Sequence, residues 1–380
     1  DSVINPLDLH ALTFAEELVH DDPAARIVFL TMGPPAAREM LVDCLSRVPG
    51  EAILLTDKAF AGADTGATAY SLAMAIRRVQ HEMFDDQCEY AIVTGMQSVD
   101  GDTAQVPPQI AEELGIDHIA YAQSVRRDDE QNPPWIIRRI AAEGIEDVHP
   151  RHCPVLITLT ASTSPLFRSF AAAREARIAD IHEWSAESVG ADRSRIGLKG
   201  SWTQVHHLFS PSEARTKTCK FVDDPAELVA SMKAAYEVAE AGATVPCVDQ
   251  AYDLAGREPT YRGEFWVFAE PEGDGVRSVS LELVGVARDL ANCLDEKVAA
   301  VLAIDEAGDR PEALIAAGAD IVYVLEHPLL ARFDPIGHKS VLADLVRERK
   351  PQVMLFGASP LGRELAPRVA YACRSGLTAD

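Results

Sequence analysis

Two polar loops hold the residues whose types and spacing suit ligand binding. One is "SVDGDTAQV", residues 98–106, and the other is "AFAGADTGATAYSLA", which begins at residue 59. Each loop joins an apolar run to a helical pattern and is rich in glycine and small residues. Its backbone N–H groups can therefore point at an anion beside a helix N-terminus. The chemistry that such loops suit is the binding of a phosphate or a pyrophosphate.

Three aspartates complicate this interpretation. The carboxylates of Asp64, Asp100 and Asp102 would repel a phosphate that they faced. We interpret them as caps on the amides of their own loops or as acceptors for ribose hydroxyls. Gly101 is expected to allow close approach of a ligand or a positive φ. The alternative is that both loops are capped helix starts without a ligand, because neither matches GxGxxG or a Walker lysine motif.

The elements around these loops predict a parallel sheet covered by helices. "IVFLTMG" (27–33), "EAILLTD" (51–57) and "YAIVTG" (90–95) are short apolar runs typical of buried parallel strands, with helical patterns between them. Val106, Ile110 and Leu114 recur at helical spacing, and prolines 107 and 108 fit only the first turn. Residues 135–160 predict an antiparallel excursion that returns to a central strand.

The same organisation is repeated near the end of the chain. Four more strand patterns occupy 265–270, 298–304, 320–326 and 352–357, again with helices between them. The last unit follows the order of residues 91–116, which indicates an internal duplication. The sequence therefore predicts two similar α/β domains with doubly wound parallel sheets. Their predicted bounds are 1–185 and 263–380, with an irregular arm and linker at 186–262 that contains a helix near residues 223–242.

Composition excludes several classes of partner. Thirty-five Lys and Arg against 59 Asp and Glu give a net charge of −24, which disfavours nucleic acids and anionic membranes. No apolar run reaches the roughly 20 residues that span a bilayer. Seven scattered cysteines favour a reducing compartment, and we expect a cytoplasmic protein without a metal centre. Because no catalytic motif appears, any chemistry would belong to a bound cofactor.

Several motifs together resemble electron transfer flavoproteins. "INPLDLHAL", "LTMGPPAAREML", "ILLTDKAFAGADTGATAYSLA", "QSVDGDTAQV" and "SRIGLKGSWTQV" are similar to the β subunit of that family. From residue 265, "WVFAEPEGDGVRSVSLELVGVARDLA", "AAGADIVYVLEHPLL" and "FGASPLGRELAPRVAYACRSGLTAD" resemble the N-terminal domain of its α subunit. The resemblance implies a β–α fusion whose two halves pair by a pseudo-two-fold. It also implies that the family's first β-subunit strand and its C-terminal FAD domain lie outside this sequence.

The resemblance implies a nucleotide site in the β-like half. That site holds AMP, or a second FAD in electron-bifurcating members, and "GADT" and "DGDTAQV" resemble the members that hold flavin. Met96 departs from the family's usual basic residue, and Pro107 from its glycine. The positions that carry over are Asn5, Pro6, Phe29, Ala61, Gly62, Ala63, Asp64, Thr65, Ser98, Val99, Asp100, Gly101, Asp102, Thr103, Ala104, Gln105 and Val106.

The resemblance also implies protein partners. Residues 162–178 are similar to the family's recognition loop, with Phe167 as the apolar anchor and Arg168 beside it. The alternative is that Phe167 and Phe170 are the core of a small helix. The donor would be an acyl-CoA-dehydrogenase-like or other flavin dehydrogenase, and the acceptor a quinone reductase or ferredoxin. Three functions stay open: a simple electron carrier, an NADH-oxidising bifurcating flavoenzyme, and a scaffold in which AMP only stabilises the fold.

Overall fold

The structure is a computed structural model in which most of the chain is described. The described residues are 3–20, 22, 24–84, 89–99, 101–128, 130, 132–141, 144–160, 166–205, 221, 222, 224–241 and 261–379. They form two compact units, one of Asp1–Gln204 with Gly263–Asp380 and one of Val205–Arg262. Within the larger unit we name residues 3–204 the first α/β region and residues 263–379 the second α/β region.

The strands are short, as expected for α/β proteins. In chain order they are β1 (Val28–Met32), β2 (Glu51–Leu55), β3 (Ala91–Gly95), β4 (Asp117–Arg127), β5 (Trp135–Ala141), β6 (Gly144–Val148), β7 (Val155–Leu159), β8 (Ile181–Trp184), β9 (Phe265–Ala269), β10 (Pro271–Glu272), β11 (Gly275–Val276), β12 (Val298–Ile304), β13 (Ile321–Glu326) and β14 (Val353–Leu355).

The helices alternate with the strands in both regions. They are α1 (Pro6–Val19), α2 (Arg38–Leu45), α3 (Thr65–Met83), α4 (Val106–Leu114), α5 (Phe170–Ala176), α6 (Gly197–Gly200), α7 (Pro225–Ala241), α8 (Ser278–Asn292), α9 (Arg310–Ala316), α10 (Pro335–Arg349) and α11 (Pro360–Cys373). Single 3₁₀ turns occur at Pro35–Ala37, Lys58–Phe60 and Pro328–Leu330.

The first α/β region contains two sheets, whereas the sequence predicted one. Strands β1, β2 and β8 form a parallel sheet in the order β1-β2-β8. The other sheet has the order β3-β7-β4-β5-β6, in which β3, β7 and β4 are parallel and β5 and β6 are antiparallel. The predicted antiparallel excursion and its central return strand are therefore confirmed. Among the described strands, β1 and β3 each pair on one side only, so no backbone ladder joins the two sheets.

Helix α3 packs against strands from both of these sheets. Leu30 of β1 and Ile92 of β3 contact the same apolar cluster, which contains Ala69 and Ile76 of α3. The two sheets are thus held by side-chain packing where backbone hydrogen bonds are missing. The two candidate loops follow strands of different sheets, one after β2 and the other after β3.

The second α/β region has one parallel sheet in the order β13-β12-β9-β14. Strands β9 and β12 are buried along their whole length, as predicted from their continuous apolar sequences. The chain passes from β9 to β12 and β13 on one side and returns to β14 on the other. The strand order therefore reverses between β9 and β14, and a short hairpin of β10 and β11 follows β9.

Helices α4 and α11 join the two α/β regions. Glu112 of α4 accepts a 2.6 Å bond from Lys339 of α10 and lies 3.4 Å from Arg368 of α11. Glu113, the next residue, accepts a 2.7 Å bond from the hydroxyl of Tyr371 in α11. The ring of Tyr371 also belongs to the apolar cluster that α3 and α4 share. The helix that follows the candidate loop is therefore fixed at its carboxyl end by the second α/β region.

The smaller unit contributes one helix to the description. Helix α7 confirms the helix predicted near residues 223–242. The predicted linker that follows it lies largely outside the described residues, since 242–260 are not among them. No described helix is long and apolar enough to pass through a bilayer. The described residues also contain no group of three His, Cys, Asp or Glu side chains placed to hold a metal ion.

Candidate functional site

Both candidate loops lead into helices at the positions that the sequence predicted. Helix α3 begins at Thr65, directly after Asp64, and helix α4 begins at Val106 with Pro107 and Pro108 in its first turn. The loops follow the carboxyl ends of β2 and β3, where parallel sheets bind ligands. Each loop thus places a helix N-terminus at the same edge of the first α/β region.

Asp64 is a structural residue, and its predicted role as a cap is confirmed. Its Oδ1 accepts a 2.9 Å bond from the amide of Ala67, in the first turn of α3. Its Oδ2 accepts bonds of 2.7 Å and 2.9 Å from the amides of Trp202 and Thr203. Both carboxylate oxygens are occupied by backbone donors, so this side chain is held in its capping position.

In the loop at residues 61–64, three backbone amides donate hydrogen bonds within the protein, whereas the sequence predicted that they would be available to a phosphate. The amides of Ala61 and Ala63 donate to the carbonyls of Lys58 and Phe60 at 3.2 Å and 3.3 Å. The amide of Asp64 donates to the hydroxyl of Ser201 at 2.8 Å. A short 3₁₀ turn and the segment 197–203 have therefore taken three of the amides that a phosphate could use, and this loop acts as one wall of the site.

The loop at residues 98–106 keeps its amides free. Within the described chain, the backbone N–H groups of Thr103, Ala104, Gln105 and Val106 donate to no acceptor. Asp102 and Ala104 have positive φ of 51° and 56°, and Gln105 is right-handed at −90°. An αL residue followed by an αR residue turns successive amides toward one point and forms an anion-binding nest. The nest lies at the N-terminus of α4.

Gly101 does not have the conformation that the sequence suggested. It is absent from the glycines with positive φ, and a Cβ built on it would approach only Ser98 Oγ, at 3.9 Å. The left-handed positions fall on Asp102 and Ala104 instead. The strained conformation is therefore carried by two residues with side chains, and the expectation that Gly101 allows close approach of a ligand stays a prediction.

Four hydrogen bonds tie the two loops and the chain start together. Thr65 Oγ1 donates to Gln105 Oε1 at 2.8 Å, and Gln105 is 3% exposed. Asn5 Nδ2 donates to the carbonyl of Gln97 at 2.9 Å, and Asn5 Oδ1 accepts from the amide of Val99 at 3.3 Å. Gln97 Nε2 donates to Asp102 Oδ1 at 2.5 Å. These contacts position the nest from both sides.

A cation from the second α/β region reaches the same loop. Arg363, in the first turn of α11, donates from Nη1 to Gln97 Oε1 at 3.3 Å and from Nε to the carbonyl of Ala358 at 3.3 Å. Among the described residues it forms no ion pair with a carboxylate. Burial raises the pKa of Tyr121 to about 12, and the nearby Arg363 charge opposes that rise. Tyr121 has a positive φ of 59°, an uncommon conformation that marks this edge as strained.

Not every predicted residue lies in this arrangement. Pro6 begins α1 beside Asn5, and Ser98 accepts the amide of Asp102 at 2.8 Å through its carbonyl. Phe29 lies apart, because its side chain is buried in a core cluster with Leu41 and packs against Gly50. Asp100 lies outside the described residues. We therefore leave Phe29 out of the candidate site.

The predicted docking segment is exposed. Phe167 is 96% exposed and Phe170 is 99% exposed, so the alternative that they form the core of a small helix is wrong. Arg168 forms an ion pair with Asp43 at 3.2 Å, which fixes the segment beside α2. An exposed pair of phenylalanines is unusual on a protein surface and suits a contact with another protein.

The sequence did not predict the residues that contact this site from distant parts of the chain. Ser201 Oγ accepts from the Asp64 amide and donates its one hydrogen to the carbonyl of Gly197, at 2.9 Å, or to that of Gly62, at 3.2 Å. The ring of Trp202 lies against Gly66, where a Cβ would be 3.0 Å from it. These residues and Arg363 are far from the loops in sequence. Only the segment "GLKGSWTQV", which contains Ser201 and Trp202, was noted beforehand, as part of the family resemblance.

Comparisons with known proteins agree with this architecture. The model of the electron transfer flavoprotein domain matches residues 1–189 and 265–380. The chain is 42% identical to Protein FixA of Bradyrhizobium diazoefficiens over 224 residues, which are 58% of this chain and 76% of that protein. It is 37% identical to the electron transfer flavoprotein subunit beta of Clostridium acetobutylicum over 205 residues, 54% of this chain and 74% of that protein.

A third relative belongs to a named complex. The chain is 34% identical to the caffeyl-CoA reductase-Etf complex subunit CarD of Acetobacterium woodii over 210 residues, 55% of this chain and 76% of that protein. The family match covers both α/β regions, and the relatives are matched over about three quarters of their length. The chain belongs to the electron transfer flavoprotein family.

Proposed function

We propose that this protein is an electron carrier that holds a nucleotide cofactor, FAD or AMP, in its first α/β region. The observation that carries the proposal is the set of four free amides, Thr103 to Val106, arranged as a nest at the N-terminus of α4. The amides at a helix start have no acceptor inside the helix, so they are satisfied by a side chain, by water or by a ligand. A phosphate group of the nucleotide is the acceptor that they fit.

The residues around the nest fit such a ligand in charge as well. Asp64 is held by backbone donors and Asp102 accepts from Gln97, so both carboxylates are engaged in hydrogen bonds within the protein. Arg363 adds a positive charge from the second α/β region. Thr103 is half-buried, and its hydroxyl is a further donor on the nest. The backbone amides of the nest and Arg363 thus supply the donors and the positive charge that lysines would otherwise provide for a phosphate.

The redox chemistry belongs to the cofactor. A bound flavin supplies one- and two-electron transfer, which no side chain of this site provides. The protein's part is to bind and orient the nucleotide through the nest, Asn5, Thr65 and Gln105. Whether NADH delivers hydride to this site, as in bifurcating members of the family, depends on whether the nucleotide is FAD.

Several organisational features are part of the same proposal. We interpret 1–185 as a β-subunit-like region, 186–262 as an arm and linker, and 263–380 as an α-subunit-like region. The family model supports this division because it matches two separate segments, one on each side of residues 190–264. We also propose a pseudo-two-fold relation between the two halves, for which the repeated strand–loop–helix order is the support.

The proposed donor is a flavin dehydrogenase that docks at Phe167. The name of CarD places that relative in a complex with a caffeyl-CoA reductase. A comparable partner of this chain would seat Phe167 in an apolar pocket and contact Arg168 at its rim. A quinone reductase or ferredoxin would then take the electrons onward.

Identification of the bound nucleotide tests the proposal. The protein is purified without added cofactor and denatured, and the released nucleotides are separated and counted per chain. FAD supports a flavin in the first α/β region, and AMP supports a carrier in which this site only stabilises the fold. If nothing is released and calorimetric titration with FAD, AMP and ADP shows no heat, the nest is only a helix start and the proposal is wrong.

A further inference from the structure

The second α/β region has its own loop at the point where ligands bind in doubly wound sheets. Its strand order reverses between β9 and β14, and the crevice at the carboxyl ends of these strands is the usual ligand position. Glu270 follows β9 directly, and Gly357 follows β14 just before α11 begins. Helix α11 has 14 residues, so its N-terminus carries the full partial positive charge of a long helix.

Glu270 points into this crevice and is completely buried. Its Oε1 accepts a 2.7 Å bond from Ser359 Oγ, and Ser359 in turn caps α11 by accepting from the amide of Gly362 at 3.0 Å. Its Oε2 accepts no hydrogen bond, and the nearest cation is Arg277, with Nε at 3.4 Å. Burial raises the pKa of Glu270 above its ordinary value. A buried carboxylate with one free oxygen is costly unless its position is fixed by its surroundings.

The surrounding backbone is shaped around this carboxylate. A Cβ built on Gly357 would lie 2.8 Å from Glu270 Oε1, and one built on Gly362 would lie 3.2 Å from the same atom. Gly357 thus leaves the space that the carboxylate occupies, whereas a Cβ on Gly362 would first meet the carbonyl oxygen of Gly357, at 2.0 Å. The loop is also short: two residues separate Gly357 from Pro360, whereas ten separate Gly95 from Val106 in the first α/β region.

We propose that the second α/β region contains an oxyanion site that is occupied by the chain's own Glu270 carboxylate. The site consists of the N-terminus of α11, the Ser359 hydroxyl and the Arg277 guanidinium, around the space left by Gly357. A small oxyanion such as phosphate is the ligand class that this arrangement accepts. In the native chain the carboxylate excludes it, so the nest of the first α/β region is the only one of the two crevices open to a nucleotide.

Chemical rescue tests this assignment. Glu270→Ala opens the space, and Glu270→Gln keeps it filled while removing the charge. Melting temperatures of both variants and of the native chain are measured in increasing inorganic phosphate at constant ionic strength. A ligand that binds only the folded state stabilises it by mass action, so we expect an additional rise of roughly 2–6 °C in Glu270→Ala. Any phosphate bound at the first region's nest shifts all three proteins equally.

Two further results decide the outcome. Gly357→Ala is expected to lower the melting temperature of the native chain more than that of Glu270→Ala, because in the second background the added Cβ meets only the Val279 side chain, at 3.1 Å. Equal phosphate shifts in all three proteins would show that the crevice takes no external anion, and the proposal would be overturned. Glu270→Ser is a second variant that opens the space. The proposal would also be overturned if Glu270→Ala and Glu270→Ser both stay unfolded at a phosphate concentration 100-fold above the one that first shifts the melting temperature of the native chain. These results do not depend on which nucleotide the first α/β region binds.

Discussion

The hydroxyl of Thr65 donates a 2.8 Å hydrogen bond to Oε1 of Gln105 and so joins the starts of α3 and α4. Thr65 belongs to the loop in which the amides of residues 61, 63 and 64 donate to protein acceptors. Gln105 belongs to the loop in which the amides of residues 103–106 donate to none within the described chain. The first loop therefore acts on the candidate site through this contact. Gln105 is almost fully buried, so its oxygen has no access to replacement water.

Thr65→Val is expected to weaken the site by leaving Gln105 Oε1 without a donor. An unpaired buried acceptor costs about 1–3 kcal/mol, and we expect the free energy of unfolding in urea to fall by that amount. Affinity for AMP in calorimetric titration should fall by roughly tenfold, equivalent to about 1.4 kcal/mol. Thr68→Val, on the same helix, changes a half-buried hydroxyl that has no such partner and is the control. Equal losses in both variants would contradict the role given to Gln105.

Ala104 is expected to respond in opposite directions to glycine and to valine. A left-handed conformation costs an L-residue roughly 1–2 kcal/mol, so Ala104→Gly should raise the unfolding free energy by up to about 1 kcal/mol after its unfolded-chain entropy is counted. Ala104→Val places a β-branched residue at positive φ and should reduce AMP affinity at least about tenfold. Gly101→Ala is the control and should change neither quantity. Unchanged binding in Ala104→Val would show that the nest holds no phosphate.

Arg363→Gln should weaken the binding of nucleotides that carry a phosphate and leave the binding of adenosine unchanged. Hydrogen bonds from a charged donor are worth about 1.5–3 kcal/mol, so AMP affinity should fall at least about tenfold. Arg332→Gln removes the same charge from an exposed position of the second α/β region and is the control. Equal weakening of AMP and adenosine would instead indicate that Arg363 only supports the loop through Gln97.

Glu113 should stabilise the fold at neutral pH and lose that effect in acid. Burial opposes ionisation of Glu113, but hydrogen bonds from Arg195 and Tyr371 and the charge of Arg195 lower its pKa below the ordinary 4.5. A lowered pKa in the folded state gives stability that is present above 4.5 and is lost as the pH falls through the folded value. Native protein should therefore exceed Glu113→Gln in unfolding free energy at pH 7, and the difference should shrink below about pH 4.5. Exposed Glu187→Gln is the control, and a difference that stays constant from pH 7 to pH 3 would contradict this account.

Phe167→Ala should impair docking and leave the fold and the nucleotide content intact. A central aromatic anchor contributes about 2 kcal/mol or more, so binding to the proposed flavin dehydrogenase partner should weaken at least about thirtyfold. Phe170→Ala removes an equally exposed ring and is the matched comparison. If both variants bind as the native chain does, partner recognition lies elsewhere.

The sequence allowed the elements of the fold to be predicted because their signals are local. Continuous apolar runs predicted β1, β2 and β3, and the prolines at 107 and 108 predicted where α4 begins, whereas the parallel strands β4 and β8 were not predicted. The cap at Asp64 also follows from local spacing, since its acceptor meets the amide three residues on. Sheet pairing is not local, and the separation of β1 from β3 could not be derived from the strand patterns.

The chemistry of the site was predicted less completely for the same reason. The free amides of one loop and the used amides of the other differ because Ser201 and the 3₁₀ turn Lys58–Phe60 contact only one of them. Phe29 was placed in the site by family resemblance, but its position near the start of β1 directs it into the core. Arg363 lies more than 250 residues after the loop that it contacts, at 266 positions from Gln97. No spacing rule connects residues that far apart.

Helix α4 carries the nest at one end and the contacts of Glu112 and Glu113 with the second α/β region at the other. A ligand that orders the first turn of this helix and a neighbour that holds its last turn act on the same rigid nine-residue element. The two events are then thermodynamically linked, and linkage is reciprocal. Nucleotide occupancy should tighten the association of the two α/β regions, and any partner that pulls them apart should lower nucleotide affinity by the same factor.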